Sequence, residues 1–532
     1  MEKEKSLLER LIRRFFLPEV YGIIPDTADY LADLSDVFVG KFKDINDKNK
    51  EYWEKEGRRK WLESRAKEGF HIGRIVSKTT PKRKLKDFMA VDFYMPEEWR
   101  DRHLLCLGAT GSGKTKFMTY LICQDILLGN NVCILNPKSD PFGGEDKAGN
   151  ELFSYIVQAC LIAGRLDELL VFTPLFPQIS VDFNPLRYYF KEDELIEHIV
   201  SGVKTKDEFY ENVAYEDATA IILGLILLDL AKGKSDSILT IADVKKWIDY
   251  KAMQDLRDAI VYFKNSPEAR VRESIEQALA IIEQVVQSPM DFFSKVSSSL
   301  RTVLTTLTAG STGAVIGNAK ENEFVRRIEN NEGVIFVCNT DSQIMSRSNK
   351  IVMKTVASVI KSTAGRLMAV RGKRLSRPLS VYIDEGHNIL FFGIQELFNK
   401  VRAAGMYLNF FDQSIDQMME EVGPQITKAI LSNMDTWFIM RLNEPDTIEY
   451  ISKIIPEVQK WVPIIGTGAN DFTPTMKPEK VPAVEVSDIS SLQKRRFYMK
   501  GMGKEDFYSG KVPLIAPPSL RITLPGTPMG DV

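Results

Sequence analysis

Gly108-Ala109-Thr110-Gly111-Ser112-Gly113-Lys114-Thr115 fits the pattern G-x-x-x-x-G-K-[ST], and the reading of this stretch decides the fold. The apolar run Leu104-Leu105-Cys106-Leu107 precedes it and a helical pattern from Lys116 to Leu128 follows, giving the order buried strand, glycine-rich loop, helix. Polyphosphate binding asks for that order. Gly108, Gly111 and Gly113 let the backbone wrap closely around phosphate oxygens, the loop amides form an anion nest at a helix N-terminus, Lys114 supplies a point charge, and the Thr115 hydroxyl can ligate Mg²⁺. An accidental glycine-rich turn would lack the strand and helix on either side.

Reading outward, Asn131-Val132-Cys133-Ile134-Leu135 is a second buried-strand run, and it ends in Asn136-Pro137-Lys138-Ser139-Asp140. Nucleotide-binding sheets place ligands at such polar loops, beyond the C-terminal ends of parallel strands. Leu169-Leu170-Val171-Phe172-Thr173 and Gly333-Val334-Ile335-Phe336-Val337-Cys338 read as further strands, and a long helix is expected from Asn349 to Met368. Leu379-Ser380-Val381-Tyr382-Ile383-Asp384-Glu385 is an apolar strand ending in Asp-Glu, the Walker B pattern. Asp384 would hold the water shell of Mg²⁺, and Glu385 is placed to orient and deprotonate an attacking water. Gly405 to Ser414 reads as one more strand, which would put Gln413 at the same sheet edge; it is either a sensor of the γ-phosphate or an ordinary strand-end residue. A helix from Ile415 to Val422 and a strand from Thr436 to Arg441 complete the sheet.

The expected fold class is α/β, a nucleotide-binding domain around a mainly parallel sheet with an inserted all-α domain. The expected division is an N-terminal charged and helical region over 1–100, the nucleotide-binding domain over 101–187 and 301–471, the insertion over 188–300, and an extended C-terminal tail over 472–532 with a hairpin around Arg496 to Lys500. Residues 1–20 carry an amphipathic pattern, with Leu7, Leu11 and Phe15 opposite Arg10 and Arg14. Such a helix lies on an anionic membrane surface or packs on a neighbouring domain. The clusters Arg58-Arg59-Lys60-Trp61 and Lys82-Arg83-Lys84-Leu85-Lys86 read as solvated faces or phosphate contacts.

Bulk properties exclude more than they select. A formal net charge of −2 gives no global attraction to nucleic acid, so any DNA contact must come from local basic patches. The 5 cysteines lie singly in apolar segments and the 4 histidines are scattered, which argues against zinc and a disulfide framework and suits a reducing cytosol. The longest apolar candidate, Ala218 to Leu228, is too short to span a bilayer, so a soluble chain is expected.

Taken together these motifs resemble the conjugative coupling proteins of type IV secretion, the TraG/TraD group, within the HerA/FtsK class of RecA-like ATPases. The resemblance covers about residues 100 to 500, and rests on the P-loop, Asn136 to Asp140, Phe183-Asn184-Pro185-Leu186 and the helical insertion. It continues through Asp384-Glu385, Lys400-Val401-Arg402-Ala403-Ala404-Gly405, Asp412-Gln413-Ser414, Ile430-Leu431-Ser432-Asn433 and Val481-Pro482-Ala483-Val484. It implies a RecA-like domain that binds ATP and Mg²⁺ and assembles as a homo-hexameric ring. That ring would hydrolyse ATP at subunit interfaces and pass relaxase-bound DNA, or protein, to the secretion channel at the inner membrane. By position Arg402 looks like the family's arginine finger, with a surface arginine as the competing reading. Family members usually begin with two transmembrane helices, which this sequence does not show; a membrane-anchored partner or the segment Leu7 to Phe16 would have to substitute. Asn136 stands where an acidic residue is common.

The leading expectation is an ATP-driven DNA translocase in the cytoplasm, recruited to the inner membrane face. Its DNA contacts would be non-specific and made to single or double strands, with Arg371 to Arg377 a possible contributor. Two alternatives stand beside it: a secretion-energising ATPase that acts on protein or pilus without DNA, and a substrate-recruiting platform whose assembly is set by ATP.

Overall fold

The computed structural model describes residues 46–51, 70–78, 91–100, 102–137, 151–204, 208–233, 238–265, 269–342, 344–465, 474–502, 507–515 and 518. In chain order its strands are β1 (Phe70–Lys78), β2 (Val91–Met95), β3 (His103–Leu107), β4 (Asn131–Asn136), β5 (Leu169–Phe172), β6 (Ile335–Asn339) and β7 (Leu379–Ile383). They continue with β8 (Met406–Asp412), β9 (Met434–Ile439), β10 (Glu457–Ile465), β11 (Pro474–Pro482), β12 (Arg496–Lys500) and β13 (Phe507–Lys511). β10 and β11 form a separate ribbon, and the others make one sheet in the order β2-β1-β13-β12-β9-β3-β8-β7-β4-β6-β5. From β9 to β5 every pairing is parallel. Beyond β9 the pairings are antiparallel. The chain is an α/β protein with a mainly parallel sheet.

Side-chain alternation explains why the central strands read as unbroken apolar runs. Leu104 and Cys106 of β3 join one core with Val132 and Ile134 of β4, while Leu105 and Leu107 join a second core with Cys133 and Leu135. A strand covered on both faces has no polar side to show. The first core is closed by α1 (Lys114–Leu128) and α2 (Glu151–Ala163), through Phe117, Leu121, Ile122, Ile156 and Cys160. The second face carries the helices α3 (Glu192–Val200) and α4 (Glu208–Ala231), then α5 (Ser346–Ala369) and α6 (Ile415–Ser432). α6 runs past Val422 as two segments joined at Gly423 (φ 78°), just before Pro424.

Two boundaries differ from the sequence reading. The helical stretch does not stop at residue 300: helices follow at Ser298–Thr308 and Glu323–Glu329, and strand returns only at Ile335. Nor does it build a core of its own, since Ile221, Leu256 and Ile275 belong to the same buried cluster as Leu105 and Phe336. The segment is an elaboration of one sheet face. Asn184 marks its start, with its amide donating to the Leu239 carbonyl (2.8 Å) and its side-chain oxygen accepting from the Leu186 amide (2.8 Å).

The second difference is at the C-terminus, where residues 496–511 are not an extended tail. The hairpin expected around Arg496 to Lys500 exists as β12 and β13, and it extends the central sheet by pairing β12 with β9 and β13 with β1. Phe497 and Met499 point inward and are fully buried. Phe497 lies 5.2 Å from the Phe438 ring, which in turn lies 4.7 Å from Phe117 on α1. Burying one such side chain contributes about 2–3 kcal/mol. Pro and Gly richness misled the sequence reading because a strand of this length offers only two inward positions. Leu7 to Phe16, Arg58 to Trp61, Lys82 to Lys86 and Lys138 to Asp140 lie outside the described residues.

Candidate nucleotide site

Register brings the strand ends together. Leu107 pairs with Asp412 and with Ile439, and Leu135 with Ile383, so the loops after β3, β7, β8 and β9 meet along one edge. The P-loop hangs from its neighbours there: the Gly108 amide donates to the Asp412 carbonyl (3.1 Å) and the Ala109 amide to the Arg441 carbonyl (2.7 Å). Gly113 takes φ 113° and lies against Arg495, whose amide donates to the Ser112 carbonyl (2.7 Å). A side chain at Gly113 would be strained by its own backbone. Arg441 reaches the tip of the loop, donating from Nη2 to the Thr110 carbonyl (3.3 Å). Lys114, the first residue of α1, is only 5% exposed, and its ammonium donates to the Gly108 carbonyl.

On the facing side Asp384 is fully buried just past β7, and its carboxylate accepts the Glu385 amide (3.0 Å). Glu385 holds the left-handed conformation (φ 47°, ψ 60°), a strain of roughly 1–3 kcal/mol for a residue with a Cβ. Gly386 follows because the Phe410 ring leaves no room, a Cβ there falling 2.1 Å from Cζ. The strained turn swings Glu385 toward Gln413, whose Nε2 donates to Oε1 of Glu385 (3.1 Å), while the Thr110 hydroxyl donates to Oε1 of Gln413 (3.4 Å). His387 closes the turn with two bonds to the buried Asp412 carboxylate, from its amide (2.7 Å) and from Nδ1 (3.0 Å). Burial disfavours the His387 imidazolium, but the hydrogen bond and charge of Asp412, helped by Glu385, outweigh it against Lys350 and hold its pKa above the ordinary value.

Gly108 to Thr115, Asp384, Glu385 and Gln413 thus share one edge. Arg402 does not. It is exposed in the turn between the helix Gln395–Lys400 and β8, near His103 at the start of β3. The length of β8 separates it from the P-loop of its own chain, roughly 20 Å at the usual rise per residue. The sequence reading gave no role to His387, Asp412, Arg441 and Arg495, although it quoted Asp412 and Arg441 at strand ends. The first three stand within two residues of motifs that were singled out, so strand-end polarity could have flagged them; Arg495 carries no such signal.

The loop fits a nucleotide with Mg²⁺. At Gly108 a Cβ would fall 2.7 Å from the Ser112 hydroxyl and 2.9 Å from Met440 Cβ, so the backbone is packed as tightly as a phosphate cradle requires. Thr115 and Asp384 supply the hard oxygen donors that Mg²⁺ takes. Burial raises the thiols of Cys106, Cys133 and Cys338 far above the ordinary range, which leaves them as core residues. Among the described residues there is no cluster of three or more His, Cys, Asp or Glu able to hold a metal ion by protein ligands alone.

Residues 378–494 match the family model described as the TraM recognition site of TraD and TraG. The chain also superposes on the bacterial conjugative coupling protein TrwBdeltaN70 with a TM-score of 0.59 at 15% identity, covering 81% of this chain and 90% of that one. It has the coupling-protein fold. Its likeness to the plasmid coupling protein TrwB in complex with ADP and Mg²⁺ gives a TM-score of 0.58 at 16% identity over 85% of this chain and 97% of that one. For TrwB with a non-hydrolysable ATP analogue the values are 0.57, 16%, 86% and 98%. No curated protein matches the chain by sequence.

Proposed function

We propose that this protein is an ATPase of the conjugative coupling type, which assembles as a hexameric ring and uses ATP to deliver relaxase-bound DNA, or protein, to a type IV secretion channel. The observation that carries the proposal is the meeting of Lys114, Thr115, Asp384, Glu385 and Gln413 at one sheet edge. The family match over 378–494 and the shared fold support the conjugative setting, and TraM of the relaxosome is the partner class that the matched segment suggests. Among the described residues no helix is long and apolar enough to cross a membrane. Recruitment to the inner membrane is assigned to a membrane-anchored partner or to the segment Leu7 to Phe16.

In this reading the loop amides and Lys114 hold the β- and γ-phosphates, and Thr115 and Asp384 would hold a Mg²⁺ that would supply charge neutralisation there. Glu385 accepts a proton from the attacking water, and Gln413, bonded to Glu385, sets the direction of that carboxylate. Arg402 lies at the opposite end of β8 from its own P-loop, and this reading assigns it to a neighbouring subunit's γ-phosphate in a ring. The test is the ATP turnover rate with and without single- or double-stranded DNA across a salt series. DNA is expected to raise the rate at low salt and to lose its effect as salt rises. Lys114-dependent turnover that no DNA stimulates would replace DNA by protein as the cargo.

A further inference from the structure

The mechanism above leaves the half-buried His387 and the fully buried Asp412 without a task. Asp412 is fully buried and accepts three N–H bonds on its carboxylate: His387 N at 2.7 Å, His387 Nδ1 at 3.0 Å and Gln413 N at 2.7 Å. A carboxylate only accepts, so Nδ1 carries a proton, and in the neutral imidazole Nε2 accepts from the Asn388 amide at 3.2 Å. The same Asn388 nitrogen donates to the Glu385 carbonyl at 3.0 Å. These bonds close a ring that runs Glu385, Asn388, His387, Asp412, Gln413 and back to Glu385 through Gln413 Nε2. The ring is also tied to the P-loop twice, by the Gly108 amide on the Asp412 carbonyl and by the Thr110 hydroxyl on Gln413.

A strained left-handed residue persists only where its surroundings over-determine it. From this ring we infer that His387 and Asp412 are a positioning pair: they hold the Glu385 turn and Gln413 as one unit hung from the P-loop, so that a shift of the loop moves the Glu385 carboxylate with it. The inference rests on the ATPase reading, in which Glu385 must sit within hydrogen-bond reach of the attacking water. In that reading neither side chain of the pair is assigned a contact with the nucleotide. Their removal should therefore slow turnover without weakening nucleotide binding, since a misplacement of about 1 Å at a reacting group costs about 10²-fold in rate.

The experiment uses the full chain and the variants His387→Ala, His387→Asn, Asp412→Asn and the double His387→Ala/Asp412→Asn. It reads kcat and KM for ATP, the equilibrium affinity for a fluorescent ATP analogue, and the thermal midpoint. His387→Ala and Asp412→Asn should each lower kcat by about 10–100-fold and leave KM and affinity within about twofold. His387→Asn keeps a donor near the Nδ1 position and should recover most of the loss. The double variant should be no slower than the slower single, because both break one ring. A His387→Ala protein with the wild-type kcat overturns the inference, and so does a rise in KM that matches the fall in kcat, or losses that multiply in the double variant. Should His387→Ala fail to fold, His387→Asn and Asp412→Asn decide: a fast His387→Asn with a slow Asp412→Asn supports the pair, and equal wild-type rates in both sink it. Wild type and Lys114→Ala run alongside separate the two levels. A wild-type rate no higher than that of Lys114→Ala fails the ATPase reading and with it the pair's task; a Lys114-dependent rate that these variants leave unchanged fails the pair alone.

Discussion

The same parallel strands end in two different environments. At their C-terminal ends polar side chains bond across loops: Gln413 to the Glu385 carboxylate, His387 to the Asp412 carboxylate, Arg441 to the Thr110 carbonyl of the P-loop. At their N-terminal ends the buried side chains of His103 and Asn131 bond to fixed backbone. His103 donates from Nε2 to the Phe398 carbonyl (2.8 Å) and accepts at Nδ1 from the Leu408 amide (3.2 Å), while Asn131 accepts from the Val334 amide (3.0 Å) and donates to the Arg377 carbonyl (3.2 Å). Bonds to backbone fix the sheet, whereas bonds between loops can re-form around a ligand. The difference separates residues that hold the fold from residues placed for chemistry, and it makes the two ends answer differently to substitution.

The largest effect is expected at the C-terminal ends. Lys114→Ala should reduce ATP turnover to the background rate, at least about 10³-fold, and leave the thermal midpoint close to wild type. Turnover and melting measured on one preparation check it, and an unchanged rate would break the comparison at its centre.

Arg402 is the exception at the other end, exposed where His103 and Asn131 are buried. Arg402→Ala should slow turnover by about 10³-fold without altering nucleotide affinity, as loss of an arginine finger does. Mixing it with Lys114→Ala subunits should restore part of the rate, because a mixed ring contains intact P-loops beside intact arginines. If the mixture stays as slow as its components, Arg402 belongs to the structural end with its neighbours.

Much of the C-terminal end was legible because its motifs are contiguous. Gly108 to Thr115 and Asp384-Glu385 each sit in a few residues beside an apolar run, so spacing alone places them. Gln413 could be placed but not partnered, since its bond to Glu385 depends on a left-handed turn that no residue type announces. The same turn hid His387 and Asp412, two residues that meet only when β7 and β8 lie side by side. The antiparallel edge was harder still. β12 shows two inward residues, Phe497 and Met499, too few for a period to stand out, and β1, which pairs with the other strand of its hairpin, β13, lies more than four hundred residues away in the chain. The boundary of the helical insertion failed for another reason: the insertion buries its apolar face on the sheet itself, so composition does not change where one core ends and another begins.

At the structural end a pH effect on stability follows from His103. Burial pulls its pKa down from 6.5 to about 4, against the hydrogen bond to Phe398. Between those values the unfolded chain binds a proton that the native chain refuses, so stability rises with pH through this window. The contribution is complete above about pH 6.5 and is lost as pH falls toward 4, about 3 kcal/mol at the usual 1.4 kcal/mol per pKa unit. Buried His198 shifts in the same direction. Asp217, pushed up to about 6 by burial, works in the opposite sense. Urea titrations at pH 7 and pH 4.5 should show wild type losing more stability on acidification than His103→Gln. Equal losses would mean that this end of the sheet does not rest on a neutral histidine.

The smallest effect tests the helical insertion, which belongs to neither end. Asn184 is fully buried where the chain leaves the sheet, and its side chain serves two backbone groups, the Leu239 carbonyl and the Leu186 amide. Asn184→Ala leaves both without that partner in a place water does not reach. An unmet buried polar group costs about 1–3 kcal/mol, and partial rearrangement of the turn keeps the expected loss near 2 kcal/mol. The backbone bonds around it remain, from the Asn184 amide to Glu321 (2.9 Å) and from the Asn322 side chain to the Asn184 carbonyl (3.1 Å), so the insertion should loosen rather than detach. The loss should appear as a lower urea midpoint with an unchanged slope, while kcat for ATP stays within about twofold of wild type. A fall in kcat as large as that expected for the His387 variants would show that the insertion's anchor is mechanically coupled to the Glu385 turn, and the division between structural and chemical residues would have to be redrawn to include it.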